Sequence, residues 1–467
     1  MRTDKPILAA TLLLALALGG CSFAPAFTRP ESPVAATLPG EALTDQAGVL
    51  AAELGWRDFF ADPRLQAIIE LALKNNRDLR ETALNVEAFQ AQYRIQRAQL
   101  LPTVDGGAGY VKQRTLGPGG HATSEAYSAS VGVTAWEIDF FGRIRSLRDQ
   151  ALEEYLAMEE NRRSAHISLV AEVARAYLTW LADRQLLAIT EDTAANEQAS
   201  YDLIKQRYDE GVATQIDLAQ AETGLQTARA NLAQYRRLLA QEENLLTLLA
   251  GGPLPDDLPP CTDLTAQALL DPVPAGLRSD LLLQRPDIMA AEHTLRAANA
   301  SIGAARAAFF PAISLTADAG VISAEASDLF DGDSGSWLFA PTLRLPIFTG
   351  GRLSAQLDLA EVRKEIAVTR EEEAIQTAFR ETADALAGIR TFGEQLQAEE
   401  LGLQANQTYY ALARERYDQG VDSYLVVLDA QRSLYRARQS VVVIRLARLV
   451  NRVNLYKVLG GGWQERS

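Results

Sequence analysis

The sequence has few aromatic residues, only two cysteines and, beyond its N-terminus, no long hydrophobic run. Aromatic residues make up 7% of the 467 residues although 48% are hydrophobic, so leucine and small side chains dominate the apolar fraction. That usage is typical of long helices that pack closely together. Because no run of about 18 apolar residues follows the N-terminus, a membrane-spanning helix is excluded there. Membrane insertion would therefore require β-strands or a lipid.

Basic residues are also scarce relative to acidic ones. The chain has 45 lysines and arginines against 60 aspartates and glutamates, a formal net charge of −15. Nucleic acid is excluded as a partner, because neutralising its phosphates requires a basic face. The three histidines are scattered, and the sequence has no metal-ligand spacing, nucleotide-binding loop or nucleophile motif. We therefore expect neither an enzyme nor a metal site, and we interpret Glu153-Glu154, Glu159-Glu160 and Glu371-Glu372-Glu373 as solvated helix faces.

The first 20 residues have the layout of an export signal. Two basic residues, Arg2 and Lys5, precede an apolar stretch over 7–18 that is too short to span a membrane. We therefore interpret residues 1–20 as a signal peptide that is removed after export.

A cysteine follows this segment directly. The run Leu18-Gly19-Gly20-Cys21 resembles the lipobox of bacterial lipoproteins, in which the thiol is acylated and cleavage makes the cysteine the new N-terminus. The resemblance implies a diacylglycerol and an N-acyl chain such as palmitate on Cys21, a lipidated segment over 21–61, and sorting to the outer membrane because Ser22 follows. An ordinary signal peptide with an incidental cysteine is the alternative. Once Cys21 is acylated, Cys261 has no partner for an intramolecular disulfide.

An internal duplication organises the remainder of the chain. An offset of 209 residues aligns landmarks in the two halves, including Asp78 with Asp287, Pro102 with Pro311, Ile138 with Ile347, Gly142-Arg143 with Gly351-Arg352, and Arg207-Tyr208-Asp209 with Arg416-Tyr417-Asp418. The two repeats cover 62–252 and 273–461. A proline-rich linker over 253–272 joins them along an extended surface path, and a short tail occupies 462–467.

Each repeat predicts a helix, a β-hairpin, a very long helix and a further helix. The segments are a hairpin over 102–138, a long helix over 142–208 and a helix over 214–250, then a hairpin over 311–347, a long helix over 351–417 and a helix over 423–459. At 1.5 Å per residue each long helix would extend for about 100 Å. Such a length favours coiled-coil pairing or a tube of bundled helices.

The predicted strands alternate between apolar and small or polar residues with a period of two, and we expect polar loops over 113–125 and 324–335. The return strands of the two hairpins disagree in parity at the 209-residue offset, which indicates a one-residue change in loop length or a β-bulge. The alternation suits a transmembrane barrel or a half-buried soluble sheet equally well. The export signal, the lipid anchor and the helix lengths favour the barrel. Four strands per chain are too few to close, so closure demands several chains.

Several motifs together resemble one family. They are Pro274-Ala275-Gly276-Leu277, Arg285-Pro286-Asp287-Ile288, Phe309-Phe310-Pro311, Pro346-Ile347-Phe348, Leu428-Asp429-Ala430-Gln431-Arg432-Ser433-Leu434 and Asn454-Leu455-Tyr456. With the order of elements and the lipobox, they resemble the TolC-like outer-membrane efflux proteins, in particular the OprM-like lipoprotein branch. The resemblance implies a membrane α+β fold: a homotrimeric 12-stranded β-barrel continued by a long periplasmic α-helical barrel with a mixed equatorial domain.

The same resemblance implies a function. The protein would be the exit duct of a tripartite efflux pump associated with antibiotic resistance, passing drugs or other small solutes to the exterior. Its partners would be a periplasmic adaptor and an inner-membrane RND-type pump. A lipid-anchored coiled-coil scaffold or adhesin is the alternative, and a periplasmic enzyme would need a polar constellation that the sequence lacks.

Two sets of site residues follow from the resemblance. The periplasmic gate would consist of Leu425, Asp429 and Arg432, supported by Arg416 and Tyr417. Residues 425, 429 and 432 lie on one helix stripe at i, i+4 and i+7, so three-fold symmetry would stack them into rings. As the alternative, Asp429 and Arg432 form an ordinary surface pair.

The second set lies at the two turns between helices, which resemble the segments that meet an adaptor. These residues are Gly211, Val212, Thr214, Gly420, Val421 and Ser423. Glycine also ends helices for purely structural reasons, and both roles can hold at once.

Overall fold

A computed structural model describes residues 23–38, 54–118, 120–269 and 279–462. The predicted anchor Cys21 and the motif at 274–277 lie outside the described residues. The chain divides into two units, one formed by 1–31, 84–160 and 289–373 and the other by 32–83, 161–288 and 374–467. In chain order the elements are α1 (Trp56–Phe59), α2 (Pro63–Asn75), α3 (Arg77–Ala98), β1 (Val104–Gly117), β2 (Gly120–Ile138), α4 (Arg143–Asp209), α5 (Gln215–Leu249), α6 (Pro286–Ala307), β3 (Ala312–Ser323), β4 (Gly335–Arg344), α7 (Arg352–Asp418) and α8 (Tyr424–Val458).

Helices dominate the structure, and the two repeats have helices of matching length. The long helices α4 and α7 have 67 residues each, and α5 and α8 have 35 each. Small residues allow close packing: a Cβ on Gly388 of α7 would collide with the Asn451 side chain of α8, whose Nδ2 donates to Ala385 O at 2.9 Å. Among the described residues, no helix is both long enough and apolar enough to cross a membrane.

The four strands form one antiparallel sheet in the order β1-β2-β3-β4, so β1 and β4 are its edges. The pairing places mostly apolar residues on one face: Val104, Ala108, Tyr110, Tyr127, Ala129, Val131, Val133, Ala317, Ala319, Val321, Trp337, Phe339 and Leu343. The other face carries small and polar residues, among them Asp105, Ser128, Ser130, Asp318 and Thr342. The alternation predicted from the sequence is therefore confirmed, and large members of the apolar face such as Trp337, 79% exposed, remain open to the surroundings.

A β-bulge accounts for the parity mismatch between the two return strands. The register of β2 against β3 shifts between Val133 and Trp136, where two residues of β2 oppose one residue of β3. Ala135 in the bulge has a φ of 51°, and its amide donates to Thr316 Oγ1 at 3.1 Å. The extra residue returns Trp136 to the apolar face that Val133 shares. Of the two explanations offered by the sequence, the bulge is the one that the structure shows.

The prediction of a polar loop over 113–125 is wrong. Strand β1 continues to Gly117 and β2 begins at Gly120, so the ladder passes through most of that segment. Lys112 Nζ lies 2.5 Å from Glu125 Oε1 across the ladder. Cross-strand pairs of this kind stabilise a hairpin even where its residues are polar, which a loop prediction based on polarity overlooks.

The largest buried cluster belongs to the unit that contains α1 and α2. Helix α2 buries apolar side chains at i, i+3, i+4 and i+7, namely Leu65, Ile68, Ile69 and Ala72. The Tyr456 ring stacks on Phe59 with 4.0 Å between centroids, and the Tyr456 hydroxyl donates to Leu54 O at 2.6 Å. This arrangement connects the end of α8 to the segment that precedes the first repeat.

Asp62 connects three segments of the same unit. Its carboxylate caps α2 by accepting the amides of Arg64 at 2.8 Å and Leu65 at 3.3 Å. It also accepts three side-chain donors, namely Tyr177 Oη at 3.0 Å, Thr262 Oγ1 at 2.5 Å and Gln267 Nε2 at 2.6 Å. Burial by itself would raise the pKa of Asp62, yet the hydrogen bonds from Gln267, Thr262 and the two amides hold that pKa below its ordinary value.

The linker does not simply follow the surface as expected. Leu264 is almost fully buried, and Leu254, Leu258 and Cys261 pack against the main cluster. Apolar residues interleaved with the prolines give the linker an inward face, while Thr262 binds Asp62. The linker is therefore anchored to the core at several points.

The interpretation of the acidic runs as solvated faces is wrong for some of their members. Glu371 is 1% exposed and Glu160 is also buried, because these positions fall on packed helix faces. Burial raises the pKa of Glu371, and the nearby carboxylate of Glu292 raises it further. Glu153 is half-buried, and its Oε2 lies 2.6 Å from His293 Nδ1.

We expect Asp62→Ala to lower the free energy of unfolding by about 3 kcal/mol, because the cap and hydrogen bonds to a charged acceptor are lost. The pKa of Asp62 in the folded protein lies below 3.8, so this stabilisation is present above pH 3.8 and disappears as the pH falls through the folded-state pKa. Unfolding followed by circular dichroism at neutral and acidic pH measures both effects. Asp78→Ala, at an exposed aspartate of α3, is the control, and equal losses in the two variants would contradict the assignment.

Candidate functional site

The two helical hairpins end in the same type of turn. Gly211 follows α4 with a φ of +76°, and Gly420 follows α7 with a φ of +72°. In each turn a backbone amide reaches back to close the helix: Val212 N donates to Arg207 O at 2.8 Å, and Val421 N donates to Arg416 O at 2.9 Å. This hydrogen-bond pattern requires a residue with a left-handed backbone conformation, which is why glycine occupies both positions.

The helices that leave these turns are capped differently. Thr214 and Asp217 form a capping box at α5, with Asp217 N donating to Thr214 Oγ1 at 3.2 Å and Thr214 N donating to Asp217 Oδ2 at 2.9 Å. Ser423 makes no side-chain cap at α8. Valine at 426 stands where the first repeat has Asp217, so the box cannot form there.

An ion pair holds the second turn instead. Arg416 donates to both carboxylate oxygens of Asp422, at 2.6 and 3.1 Å. The hydrogen bond from Arg416 lowers the pKa of Asp422. Arg207, the counterpart of Arg416 in the first repeat, donates to the Tyr417 hydroxyl, so equivalent arginines stabilise the two turns through different partners.

A small apolar cluster joins the ends of the four helices. Its buried members are Ile204, Ala221, Tyr424, Val427 and Leu428. Tyr417 packs against this cluster with its ring centroid 5.4 Å from that of Tyr424. Of the two residues predicted to support the gate, Tyr417 is therefore part of the packing between helices, and Arg416 belongs to the turn.

The three predicted gate residues share one open face of α8. Leu425 is 55% exposed, and Asp429 and Arg432 are also exposed. The opposite face of α8 is buried, through Tyr424, Val427, Leu428 and Gln431. Asp429 Oδ2 accepts a hydrogen bond from Tyr409 Oη of α7 at 3.3 Å. The structure thus places the three residues on one face of α8, where their side chains are exposed.

Behind the stripe lies a buried carboxylate that the sequence analysis missed. Glu197 of α4 is almost fully buried, and its Oε2 has no hydrogen-bond partner. Space for the carboxylate exists because α5 has Gly224 there: a Cβ on Gly224 would lie 2.6 Å from Glu197 Oε2. Desolvation raises the pKa of Glu197, and the positive charge of Arg432 opposes this.

Sequence reasoning also missed three partners of the predicted residues, namely Tyr409, Asp422 and Arg207. Only one of these missed features, the space occupied by Glu197, left a signal in the sequence. A glycine inside the long helix α5 is costly and therefore marks a place of close approach, which pointed to position 224. The pairs Tyr409–Asp429 and Arg207–Tyr417 join different helices, and their side chains meet only in the packed structure.

Among the described residues, no group of histidine, cysteine, aspartate and glutamate side chains is arranged to hold a metal ion.

Comparisons with known proteins match nearly the whole chain. The family model described as Outer membrane efflux protein matches residues 68–252 and 277–461, two stretches 209 residues apart. The probable efflux pump outer membrane protein TtgC of Pseudomonas putida is 52% identical over 460 residues, covering 97% of this chain and 95% of that protein. The toluene efflux pump outer membrane protein TtgC of another Pseudomonas putida strain matches with the same identity and coverage. The open-state MtrE outer membrane channel of Neisseria gonorrhoeae has a TM-score of 0.87 at 38% identity, covering 95% of this chain and 99% of that one.

We expect Glu197→Gln to raise the melting temperature at neutral pH by about 2 °C or more, because a buried carboxylate with an unbonded oxygen is replaced by a neutral group. The folded-state pKa lies above 4.5, so the native protein loses stability as the pH rises from 4.5 through that pKa. The two proteins should therefore have the same melting temperature below pH 4.5. Glu222→Gln, at an exposed position of α5, is the control. A lower melting temperature of Glu197→Gln at neutral pH would show that the charged carboxylate stabilises the fold and would contradict this prediction.

Proposed function

This chain belongs to the outer membrane efflux protein family, and we propose from that premise that three copies assemble into one gated export channel. The channel receives small solutes from a periplasmic adaptor and an inner-membrane RND-type pump and releases them outside the cell. The observation that carries the proposal is the four-stranded antiparallel sheet with two unpaired edges and an exposed apolar face. The alternative of a coiled-coil surface scaffold is not supported by relatives, which are named efflux pump outer membrane proteins.

Closure of the barrel follows from strand number and direction. Strands β1 and β4 run in opposite directions because the sheet has four antiparallel strands. The β4 edge of one copy can therefore pair in antiparallel fashion with the β1 edge of the next. Three copies supply twelve strands, which is within the range of closed transmembrane barrels. The apolar face that includes Trp337 then contacts lipid, and the polar face that includes Asp318 lines the water-filled path.

The gate is formed by the exposed stripe of α8. Three-fold symmetry turns Leu425 into a ring of apolar side chains, which narrows and dewets the path. It turns Asp429 into a ring of carboxylates, which favours cations, and Arg432 into a ring of guanidinium groups. Support comes from the exposure of all three residues on one helix face and from the Tyr409 hydrogen bond that orients Asp429.

The adaptor binds the two helix turns. The residues that contact it are Gly211, Val212, Thr214, Gly420, Val421 and Ser423. Val212 and Val421 are both exposed, which is the property expected of apolar residues that seat another protein. Gly211 and Gly420 also end α4 and α7, so each turn has both a structural role and a binding role.

A lipid on Cys21 anchors the chain to the outer membrane. Two residues further on, the Phe23 ring stacks on Phe310 with 4.5 Å between centroids, just before β3 begins. Pro25 O also accepts a hydrogen bond from Asn299 Nδ2 at 2.8 Å. This docking supports the anchor, because it would hold the acylated residue beside the base of the sheet that enters the membrane.

We expect Leu425→Ala combined with Asp429→Ala to raise the single-channel conductance of purified trimers in planar bilayers several-fold. The reason is that Leu425→Ala widens the constriction, while Asp429→Ala widens it and also removes its charge. Val443→Ala, five turns further along the same face of α8, should leave the conductance unchanged. Heat-modifiable trimers must be present in each preparation, and an unchanged conductance of the double variant would overturn the gate assignment.

We expect cysteines placed at Thr214 and Ser423 in a Cys261→Ser background to crosslink the adaptor in cells that produce the whole pump. Both positions are exposed at the turns, so a short bifunctional reagent can reach a bound partner. A cysteine at Glu222, on α5 beyond the turn, is the matched control. Equal yields at all three positions, or no adaptor product, would argue against binding at the turns.

A further inference from the structure

A cavity of about 860 Å³ lies at the end of the sheet where β2 and β4 lead into the long helices. Every residue that lines it belongs to the unit formed by 1–31, 84–160 and 289–373. Its charged lining residues are Glu137, Asp139, Arg143, Arg344 and Arg352. We propose that this cavity binds an organic anion, whose acidic group is held by Arg344 and Arg352.

The two acidic residues of the cavity are paired within the first repeat. Arg143 Nε and Nη2 donate to Glu137 Oε1 and Oε2 at 2.9 and 2.6 Å, which is a bidentate ion pair. Asp139 accepts the backbone amides of Ile144 at 3.2 Å and Arg145 at 2.8 Å, and so caps the start of α4. Arg145 Nε also donates to Asp139 at 3.1 Å. Both carboxylates therefore already balance cationic groups of their own repeat.

The second repeat keeps the arginine of this arrangement and lacks both acids. Arg352 is the counterpart of Arg143 at the 209-residue offset. Proline at 346 and phenylalanine at 348 stand where the first repeat has its two acidic residues. The same position in the two repeats thus carries a guanidinium group that binds a carboxylate in one case and has no carboxylate from its own repeat in the other.

Arg344, the last residue of β4, adds a second unbalanced charge. Among the described residues, Arg344 has no hydrogen bond or ion pair, and the side chain of Arg352 donates only to the neutral Gln356 Oε1, at 3.1 Å. Two positive charges that line one cavity repel each other. An anion relieves this repulsion, and a carboxylate offers two oxygens that match the planar guanidinium donors.

The uncharged part of the lining indicates that the anion has an apolar body. Phe310 and Phe348 both line the cavity, and Phe348 is 90% exposed. The Phe310 ring stacks on Phe141, also a lining residue, with 5.1 Å between centroids. A volume of about 860 Å³ is in the range of sites for drug-sized ligands and far exceeds a single inorganic anion. The expected ligand is therefore an aromatic or otherwise apolar compound with one acidic group.

Strand alternation determines which face of the sheet Arg344 occupies. It follows Thr342 by two residues in β4, so it belongs to the small and polar face that also includes Asp318. In the proposed channel this face lines the water-filled path, which would bring passing solutes to the cavity. That location on the path rests on the proposed function, whereas binding itself requires one chain only. The Asp429 ring of the proposed gate favours cations, so the channel would contain sites of both signs.

Equilibrium dialysis of the purified full chain in an uncharged detergent tests the site, with naphthoate as the anion and naphthamide as its neutral analogue. We expect Arg344→Gln combined with Arg352→Gln to weaken naphthoate binding about ten-fold or more, because charge-assisted hydrogen bonds are lost. Naphthamide should bind this variant and the unchanged protein equally. Arg114→Gln combined with Arg363→Gln removes the same charge from exposed arginines outside the cavity and is the control. Unchanged naphthoate binding in the first variant, or an equal loss in the control, would overturn the site.

A second pair of variants supplies the missing acid from within the chain. Phe348→Asp introduces a carboxylate at the position that corresponds to Asp139 of the first repeat, where it can pair with the arginines and displace the ligand. Phe348→Asn has a side chain of nearly the same size without the charge. We expect naphthoate to bind Phe348→Asp several-fold more weakly than Phe348→Asn. Equal affinities of the two variants would contradict the proposal.

Single-channel conductance of the same preparations separates this inference from the proposed function. If the protein conducts but naphthoate does not bind, the anion site is wrong and the channel function stands. If naphthoate binds as expected but the protein does not conduct, the channel function is wrong and the anion site stands, because the cavity lies within one unit of a single chain.

Discussion

The unpaired backbone groups at the two edges of the sheet are the constraint on which the other features depend. Strands β1 and β4 each present a row of N–H and C=O groups, and hydrocarbon offers no water to satisfy them. Four strands cannot curl into a closed barrel by themselves. An even number of antiparallel strands leaves the edges running in opposite directions, so identical chains can satisfy one another. In the proposed channel the membrane part is therefore a property of the assembly, and the duplication within each chain supplies its repeating unit.

The two repeats differ in how their helical turns are held. The first turn is held by the Thr214–Asp217 capping box, which is local and depends on neighbouring residues. The second is held by the Arg416–Asp422 ion pair at an exposed site, where such pairs contribute little stability. Near it, Glu197 places a carboxylate with one unbonded oxygen among packed helices. Neither the exposed ion pair nor the buried carboxylate adds much stability to this region, in which the proposed gate lies.

Much of the fold could be predicted because its signals are local and periodic. The long helices follow from apolar spacing, and the turns at Gly211 and Gly420 follow from helix-ending chemistry. The parity mismatch indicated either a change in loop length or a bulge. Two of the errors arise because polarity was taken as a sign of a loop or of a solvated helix face. Residues 113–125 are polar but paired in a ladder, and Glu371 is acidic but buried. The hydrogen bonds of Asp62 with Thr262 and Gln267 join segments about 200 residues apart in sequence, so no local pattern predicts them.

The sequence by itself determined the repeat, its helices and strands, the stripe at 425, 429 and 432, and the family to which these belong. Each of these follows from the order and spacing of residues along the chain, either within one segment or at the 209-residue offset. Only the tertiary structure decided which side chains meet across segments. Examples are the register of β2 against β3, the Tyr409–Asp429 hydrogen bond, and the space beside Gly224 of α5 that Glu197 occupies. Such contacts depend on how close two helices or strands approach, and that distance is a result of packing the whole chain.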